Sequence, residues 1–323
     1  MTPRTAYLFR RLVFLALLVF LVSSASMLLA RLAPGDATVE AIGQGATTAD
    51  IQRERERLGL TRGLGASYAG WLARAARLDF GESFRYGRPV LPLVVERAGN
   101  TALLGLVALA VATVVGIPLG ITGAGRRGPL ARLLPVLTTV GLSLPPLVLS
   151  IALAWVAART GWLPVGGMTT AGLEDAGAAA RAADLARHLV VPALALAIPL
   201  AATLERLQSR TMTRALAAPW IQAARARGVP ARRLRWIHAA SVAAGPVIAV
   251  YGLLAGSVLS GSFAVEIVTA WPGLGRLMYE ALLARDVNLV AGCAAATATF
   301  VAAGTLLADA ALAWLDPRTV EAS

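Results

Sequence analysis

Residues 101–125 read TALLGLVALAVATVVGIPLGITGAG, a run without a single charge, with Glu96 and Arg97 before it and Arg126 and Arg127 after it. About 20 apolar residues carry a helix across a bilayer core, so length alone makes this run a membrane span. Working outward in both directions, the chain repeats the pattern at Leu12 to Ala30, Leu133 to Ala158, His188 to Leu204, Ala239 to Phe263 and Asn288 to Leu315. Six runs predict six spans, the fourth being interrupted by Pro192 and Pro199. Pro118 and the pair Pro145-Pro146 could break their helices and expose backbone carbonyls, but they read here as ordinary kinks. The composition agrees. Of 323 residues, 57% are hydrophobic and 15% charged, where a soluble domain carries about 25% charged residues. An ordinary soluble enzyme is excluded, and the fold class is an all-α polytopic membrane protein.

The basic residues number 30 and are all arginine. A P-loop needs a lysine to reach the terminal phosphates of a nucleotide, so this chain is not itself a P-loop ATPase. One cysteine and two histidines cannot build a disulfide or a four-ligand zinc site, and no metal site is expected. The net charge of +12 is a matter of placement. Arg4, Arg10 and Arg11 precede span one, and Arg126, Arg127 and Arg132 separate spans two and three. Eight arginines from Arg206 to Arg235 separate spans four and five, while the short loops on the opposite side, the long segment 31–99 apart, hold only Arg159, Arg181, Arg187, Arg276 and Arg285. By the positive-inside rule both termini are cytoplasmic. A nucleic-acid module would carry its charge on a polar face bearing aromatics, so the partner expected from the basicity is the lipid bilayer and no nucleic acid.

Arg10-Arg11, an apolar stretch and Ser24-Ala25-Ser26 could form a cleavable signal peptide, but the apolar length exceeds an ordinary signal core and reads as a retained span. Residues 1–30 are thus a cytoplasmic tail and first span, 31–99 an extracytoplasmic insertion, and 100–323 a five-helix transmembrane domain. Within the insertion, Ile51 to Leu58 (IQRERERL) favours helix with Asp50 as a cap. Tyr68, Trp71, Leu72 and Leu78 read as one apolar side of a second helix, with its aromatics able to sit at the headgroup level. Gly252, Gly256, Ser257 and Gly261 recur at a spacing that permits close helix packing. His188 and His238 stand at the starts of spans and read as structural residues.

The segment from Arg210 to Ala240, RTMTRALAAPWIQAARARGVPARRLRWIHAA, lies on the cytoplasmic side by the charge argument. Pro219 can occupy the first position of a helix, Ile221 to Arg227 favours helix, and Gly228 can take the left-handed conformation that ends one. Pro230 opens the next helical stretch. The small pair Ala223-Ala224 would let another protein approach the backbone. The same spacing also fits a solvated basic loop that only fixes topology.

Gln222-Ala223-Ala224-Arg225-Ala226-Arg227-Gly228, with His238-Ala239 downstream, resembles the EAA loop of ABC importer permeases, and in particular the dipeptide/oligopeptide/nickel family. The resemblance covers nearly the whole chain. Arg31-Leu32-Ala33-Pro34-Gly35-Asp36 is similar to that family's motif after span one, and Asp79-Phe80-Gly81-Glu82-Ser83 to one in its external segment. Trp271-Pro272-Gly273-Leu274-Gly275-Arg276-Leu277, Arg285-Asp286 and Asp316-Pro317-Arg318 resemble its later landmarks. Gln222 departs from the Glu of the broader importer consensus, Pro219-Trp220 from the family's usual acidic-aromatic pair, His238-Ala239-Ala240-Ser241-Val242 from its H-A-L-x-N continuation by lacking the Asn, and Gly99-Asn100 from a common Pro. The resemblance implies a bacterial plasma-membrane importer subunit without catalytic residues or a bound cofactor of its own. A second permease subunit, two cytoplasmic ATP-binding subunits carrying ATP and Mg, and an extracytoplasmic solute-binding protein or lipoprotein would complete it. It further implies that Gln222, Ala223, Ala224, Arg225 and Gly228 form a coupling helix within the loop 210–238, with Arg227, Arg232 and Arg233 facing acidic residues on the ATPase. Trp271, Pro272, Gly273, Gly275 and Arg276 would seat a re-entrant helix or touch the binding protein, and Thr139, Ser143 and Pro145 would line the solute path. The solute would be a peptide or a related small molecule. The alternative is an ion-coupled secondary transporter or channel. Such proteins usually bury ionisable groups within their spans, and spans one, two, three and five contain no internal Asp, Glu, Arg or His.

Overall fold

The computed structural model describes residues 3–32, 52, 63–125, 128–173 and 175–315. The landmarks Arg31 to Asp36, Ile51 to Leu58 and Asp316 to Arg318 lie wholly or mostly outside these residues. The described chain is helical, and its one β-type pairing is an antiparallel bridge between Glu82 and Pro89. The helices are α1 (Pro3–Leu32), α2 (Leu64–Ala75), α3 (Val90–Gly123), α4 (Pro129–Ser143), α5 (Pro146–Thr160), α6 (Ala178–Ala217), α7 (Pro219–Ala226), α8 (Ala231–Arg233), a π-helical turn (Leu234–Ala239), α9 (Ala240–Val268), α10 (Leu274–Leu283) and α11 (Val287–Leu315). Among the described residues, five segments are long and apolar enough to cross a membrane, and six if the bent pair α4–α5 forms one span.

The α4–α5 bend is a break rather than the expected kink. The two helices meet at 101°, with Leu144 at ψ 115° and Pro145 at ψ 145°. Two consecutive prolines remove two amide donors, and each forces the residue before it toward extended backbone. Single prolines behave differently. Pro118 stays inside α3, and Pro192 and Pro199 stay inside the 40-residue α6.

Two compact units divide the chain. The first holds residues 102–271 together with the end of α11 from 303. Its core joins Leu104, Ala108 and Ala112 of α3 to Leu196, Leu200 and Leu204 of α6, with Val247, Leu254 and Val258 of α9 and Trp271. α3 approaches α6 across Gly116 and Gly120. A methyl group on Gly116 would stand 2.5 Å from the Ala201 carbonyl oxygen, and one on Gly120 would stand 2.6 Å from Gln208 Cβ. This is the small-xxx-small contact of membrane helices. Of the glycines singled out in the sequence, Gly261 lies close to Leu196 and Pro146, whereas Gly256 faces open space.

Residues 9–101 and 272–302 form the second unit, in which α2 packs with α1 and the start of α11. Met27, Trp71, Val287 and Ala291 share one cluster, and the Tyr68 hydroxyl donates to Ser24 Oγ at 3.0 Å. Trp71 is buried inside this unit. Leu78 is 65% exposed at φ 60°, beyond the end of α2. It does not join the apolar side formed by Tyr68, Trp71 and Leu72.

Candidate functional site

The segment between α6 and α9 forms the helix and turn that its spacing predicts. Ala218 is extended (ψ 143°), Pro219 occupies the first turn, and α7 runs for eight residues. Gly228 ends it at φ 81°. The Val229 amide donates to the Ala224 carbonyl at 3.2 Å and the Gly228 amide to that of Arg225 at 3.0 Å, the paired bonds of a Schellman stop. No atom lies within 4 Å of a Cβ placed on Gly228, so backbone conformation alone demands glycine there.

α7 rests on an apolar pad. Ile221 is fully buried among Ile121 and Ala124 at the end of α3, Met212 and Ala215 of α6, and Leu234, Ala239 and Ala243. Gln222, Ala223, Arg225, Arg227, Gly228, Arg232 and Arg233 are exposed. Gln222 Nε2 reaches back to the Ala217 carbonyl at 3.4 Å. The two alanines divide: Ala223 faces outward, while Ala224 is half-buried against the pad. Trp220 and Trp236 are also exposed, giving the arginine surface aromatic company.

Arg235 carries a role that its position among topology-setting arginines did not disclose. One of its guanidinium nitrogens, Nη1, donates to the carbonyls of Ile121 at 2.8 Å, Thr122 at 3.2 Å and Ala124 at 2.8 Å. These are terminal carbonyls of α3, groups a helix cannot satisfy itself, at the end where the macrodipole favours a cation. Bonds with a charged donor contribute about 1.5–3 kcal/mol each where well formed. The signal in the sequence was an arginine set among apolar neighbours, Leu234, Trp236 and Ile237.

The other singled-out residues fall into place separately. Trp271 and Gly273 are buried. They are packing residues: Trp271 closes the core of the first unit, and Gly273 caps α10. Asn100 Nδ2 donates to the Pro272 carbonyl at 2.8 Å, and the Leu274 amide donates to Thr101 Oγ1 at 2.7 Å. Pro272, Gly275 and Arg276 are half-buried. Arg276 Nε donates to Glu280 Oε1 at 3.0 Å, and the Tyr86 hydroxyl donates to Glu280 Oε2. Burial pushes the Glu280 carboxyl up, but the bonds from Tyr86 and Arg276 outweigh it and hold it below its ordinary value. Burial first, and then the bond to Glu280, raise the Tyr86 phenol.

Thr139, Ser143 and Pro145 are exposed around the α4–α5 break. The hydroxyls of the first two bond to their own helix, at Pro135 O and Thr139 O. Two landmarks far apart in the sequence meet in space: Ser83 Oγ donates to Asp286 Oδ2 at 2.6 Å, the Arg85 amide donates to the same oxygen, and Asn288 Nδ2 donates to the Glu82 carbonyl at 2.9 Å. His188 is buried with Nδ1 2.9 Å from the Asp184 carbonyl, and Asp184 accepts two bonds from Thr170. The first unit also holds a cavity of about 280 Å³ lined by Ile117, Ile121, Gln208, Val247 and Tyr251 among others.

Residues 116–321 match the model of a protein family described as binding-protein-dependent transport system inner membrane component. The chain is 31% identical over 318 residues to oligopeptide transport system permease protein AppB of Bacillus subtilis, covering 97% of this chain and 98% of that protein. It is 34% identical over 298 residues to a putative peptide permease protein of Brucella suis, covering 90% and 91% of the two chains. With oligopeptide transport system permease protein OppB of Mycobacterium bovis the identity is 32% over 276 residues, covering 83% and 84%.

Proposed function

This chain belongs to the family of binding-protein-dependent transport system inner membrane components, the permeases of ABC importers, and on that premise we propose that it passes peptides through the bacterial plasma membrane. It pairs with a second permease subunit to form the path. Two cytoplasmic subunits bind ATP and Mg and hydrolyse the nucleotide, and an extracytoplasmic binding protein or lipoprotein delivers the solute. Peptide names among the full-length relatives support the choice of solute. The arginine bias supports cytoplasmic termini and a cytoplasmic position for α7. Family membership leaves no place for the ion-coupled alternative.

The observation that carries the coupling role is the two-sidedness of α7: Ile221 seated in the pad, with Gln222, Ala223 and Arg225 turned outward beside Arg227, Arg232 and Arg233. A short helix held this firmly can receive a push from a docked ATPase and pass it to the spans as a rigid-body shift. Thr139, Ser143 and Pro145, exposed at the α4–α5 break, are our assignment for the solute path. Pro272, Gly275 and Arg276 are the residues of their loop left for contact with the binding protein.

Affinity purification from native membranes tests this reading. We expect two ATPase subunits, a second permease and a solute-binding protein with the wild-type chain, and loss of the ATPase subunits when Arg225 and Arg227 are both changed to Glu. Retention of the ATPases by that variant overturns the assignment of α7.

A further inference from the structure

The segment from Pro219 to Ala239 is joined through the chain directly to two helices, α6 before it and α9 after it. α3 has no such link: Arg235 lies 114 positions from Ile121. Whatever α7 receives must therefore reach α3 through non-covalent contacts. The apolar pad presses α3 against α7, but hydrophobic contact is non-directional and lets one surface slide over another. Arg235 adds direction, because its bonds to Ile121, Thr122 and Ala124 engage the last turn of α3 and the residue beyond it.

Resting on the coupling role assigned to α7, we propose that Arg235 is the positioning residue that makes α3 move with the coupling segment as one body. The backbone around it is built for this. Arg235 sits in the π-helical turn, where the Ala240 amide donates to the Arg235 carbonyl five residues back, and such wide turns insert one residue into an otherwise regular helix. Leu234 on one side and Ala239 at the end of the turn are buried in the pad. The stem of Arg235 is thus fixed at its base while its head grips α3. A lysine at the same place keeps the charge, but its terminal nitrogen stands one atom closer to the backbone than Nη1, and it would hold the carbonyls less firmly.

The test uses the purified complex in lipid vesicles, with vanadate and Mg-ATP trapping the nucleotide-bound state. Spin labels at Leu119→Cys and Ala231→Cys, both exposed positions, report the distance between α3 and the coupling segment; native Cys293 is buried. In the otherwise wild-type chain this distance is expected to be the same with and without trapped nucleotide, and a change overturns the inference without requiring an Arg235 variant. A second measurement follows maleimide reaction of Val115→Cys on α3. Its nucleotide-dependent change is expected to fall about fivefold or more in Arg235→Met, with an intermediate loss in Arg235→Lys and the ATPase subunits retained by both. A wild-type-sized change in the Met variant overturns the inference and leaves the coupling role intact, whereas absence of ATPase subunits from the wild-type complex overturns both.

Discussion

Gly228 shows how a residue can be required where there is ample room. Its neighbourhood is open, yet its φ of 81° costs an ordinary L-residue roughly 1–2 kcal/mol. Gly228→Ala is expected to speed amide exchange at Gly228 and Val229 by about tenfold, and Gly228→Asn by less because asparagine visits this conformation more readily. Mass-resolved hydrogen exchange of the purified chain checks both. Asp286 is a different kind of requirement. It is fully buried and accepts from Ser83 Oγ and from the amides of Arg85 and Leu289. Asp286→Ala would leave three donors without their acceptor, at about 1–3 kcal/mol each where no water replaces it. Ser83→Ala removes one bond and is expected to lower stability by about 1 kcal/mol. Thermal unfolding in detergent should therefore rank wild type, Ser83→Ala and Asp286→Ala in that order.

Between elements, close approach and charge each decide a contact. α3 meets α6 where Gly116 and Gly120 leave no space for a methyl group, so Gly116→Leu must push the helices apart. Overpacking of this kind costs about 1–3 kcal/mol or more, and a marked fall in the yield of folded protein on size-exclusion chromatography is expected. α10 is tied to Tyr86 by the hydroxyl's bond to Glu280, whose carboxylate Arg276 of the same helix also holds. Because the Glu280 carboxyl lies below its ordinary value, the tie contributes fully above the unfolded-state carboxylate pKa and is lost as pH falls through the lowered folded value. The raised Tyr86 phenol sets the alkaline limit, since the donor is lost as pH rises through it. Amide exchange of residues 274–283 should accelerate on acidification, and Tyr86→Phe should flatten that response.

For the molecule as a whole, the α4–α5 break decides how many times the chain crosses the bilayer. If the bent pair is one span, Arg132 and Trp162 lie on opposite faces of the membrane; if it re-enters, they share a face. The arginine pattern favours the first case. In a chain with Cys293 replaced by Ser, Trp162→Cys is expected to react with an impermeant maleimide added outside intact cells, and Arg132→Cys only after permeabilisation. Reaction of both from outside would make the pair a re-entrant hairpin.

The helical membrane class was legible in the residues alone, because a long uncharged run admits few other solutions, and so was the place of α7, because Pro219 and Gly228 act on the backbone locally. The residues also carried the family, through ordered motifs whose reasons stayed hidden. Relations between distant residues emerged with the packed helices: Ser83 finding Asp286, Gly116 meeting Ala201, Trp271 turning inward, and Arg235 gripping the end of α3. Local propensity depends on a few neighbours in the chain, whereas a hydrogen bond across more than a hundred positions depends on where packed helices bring their ends.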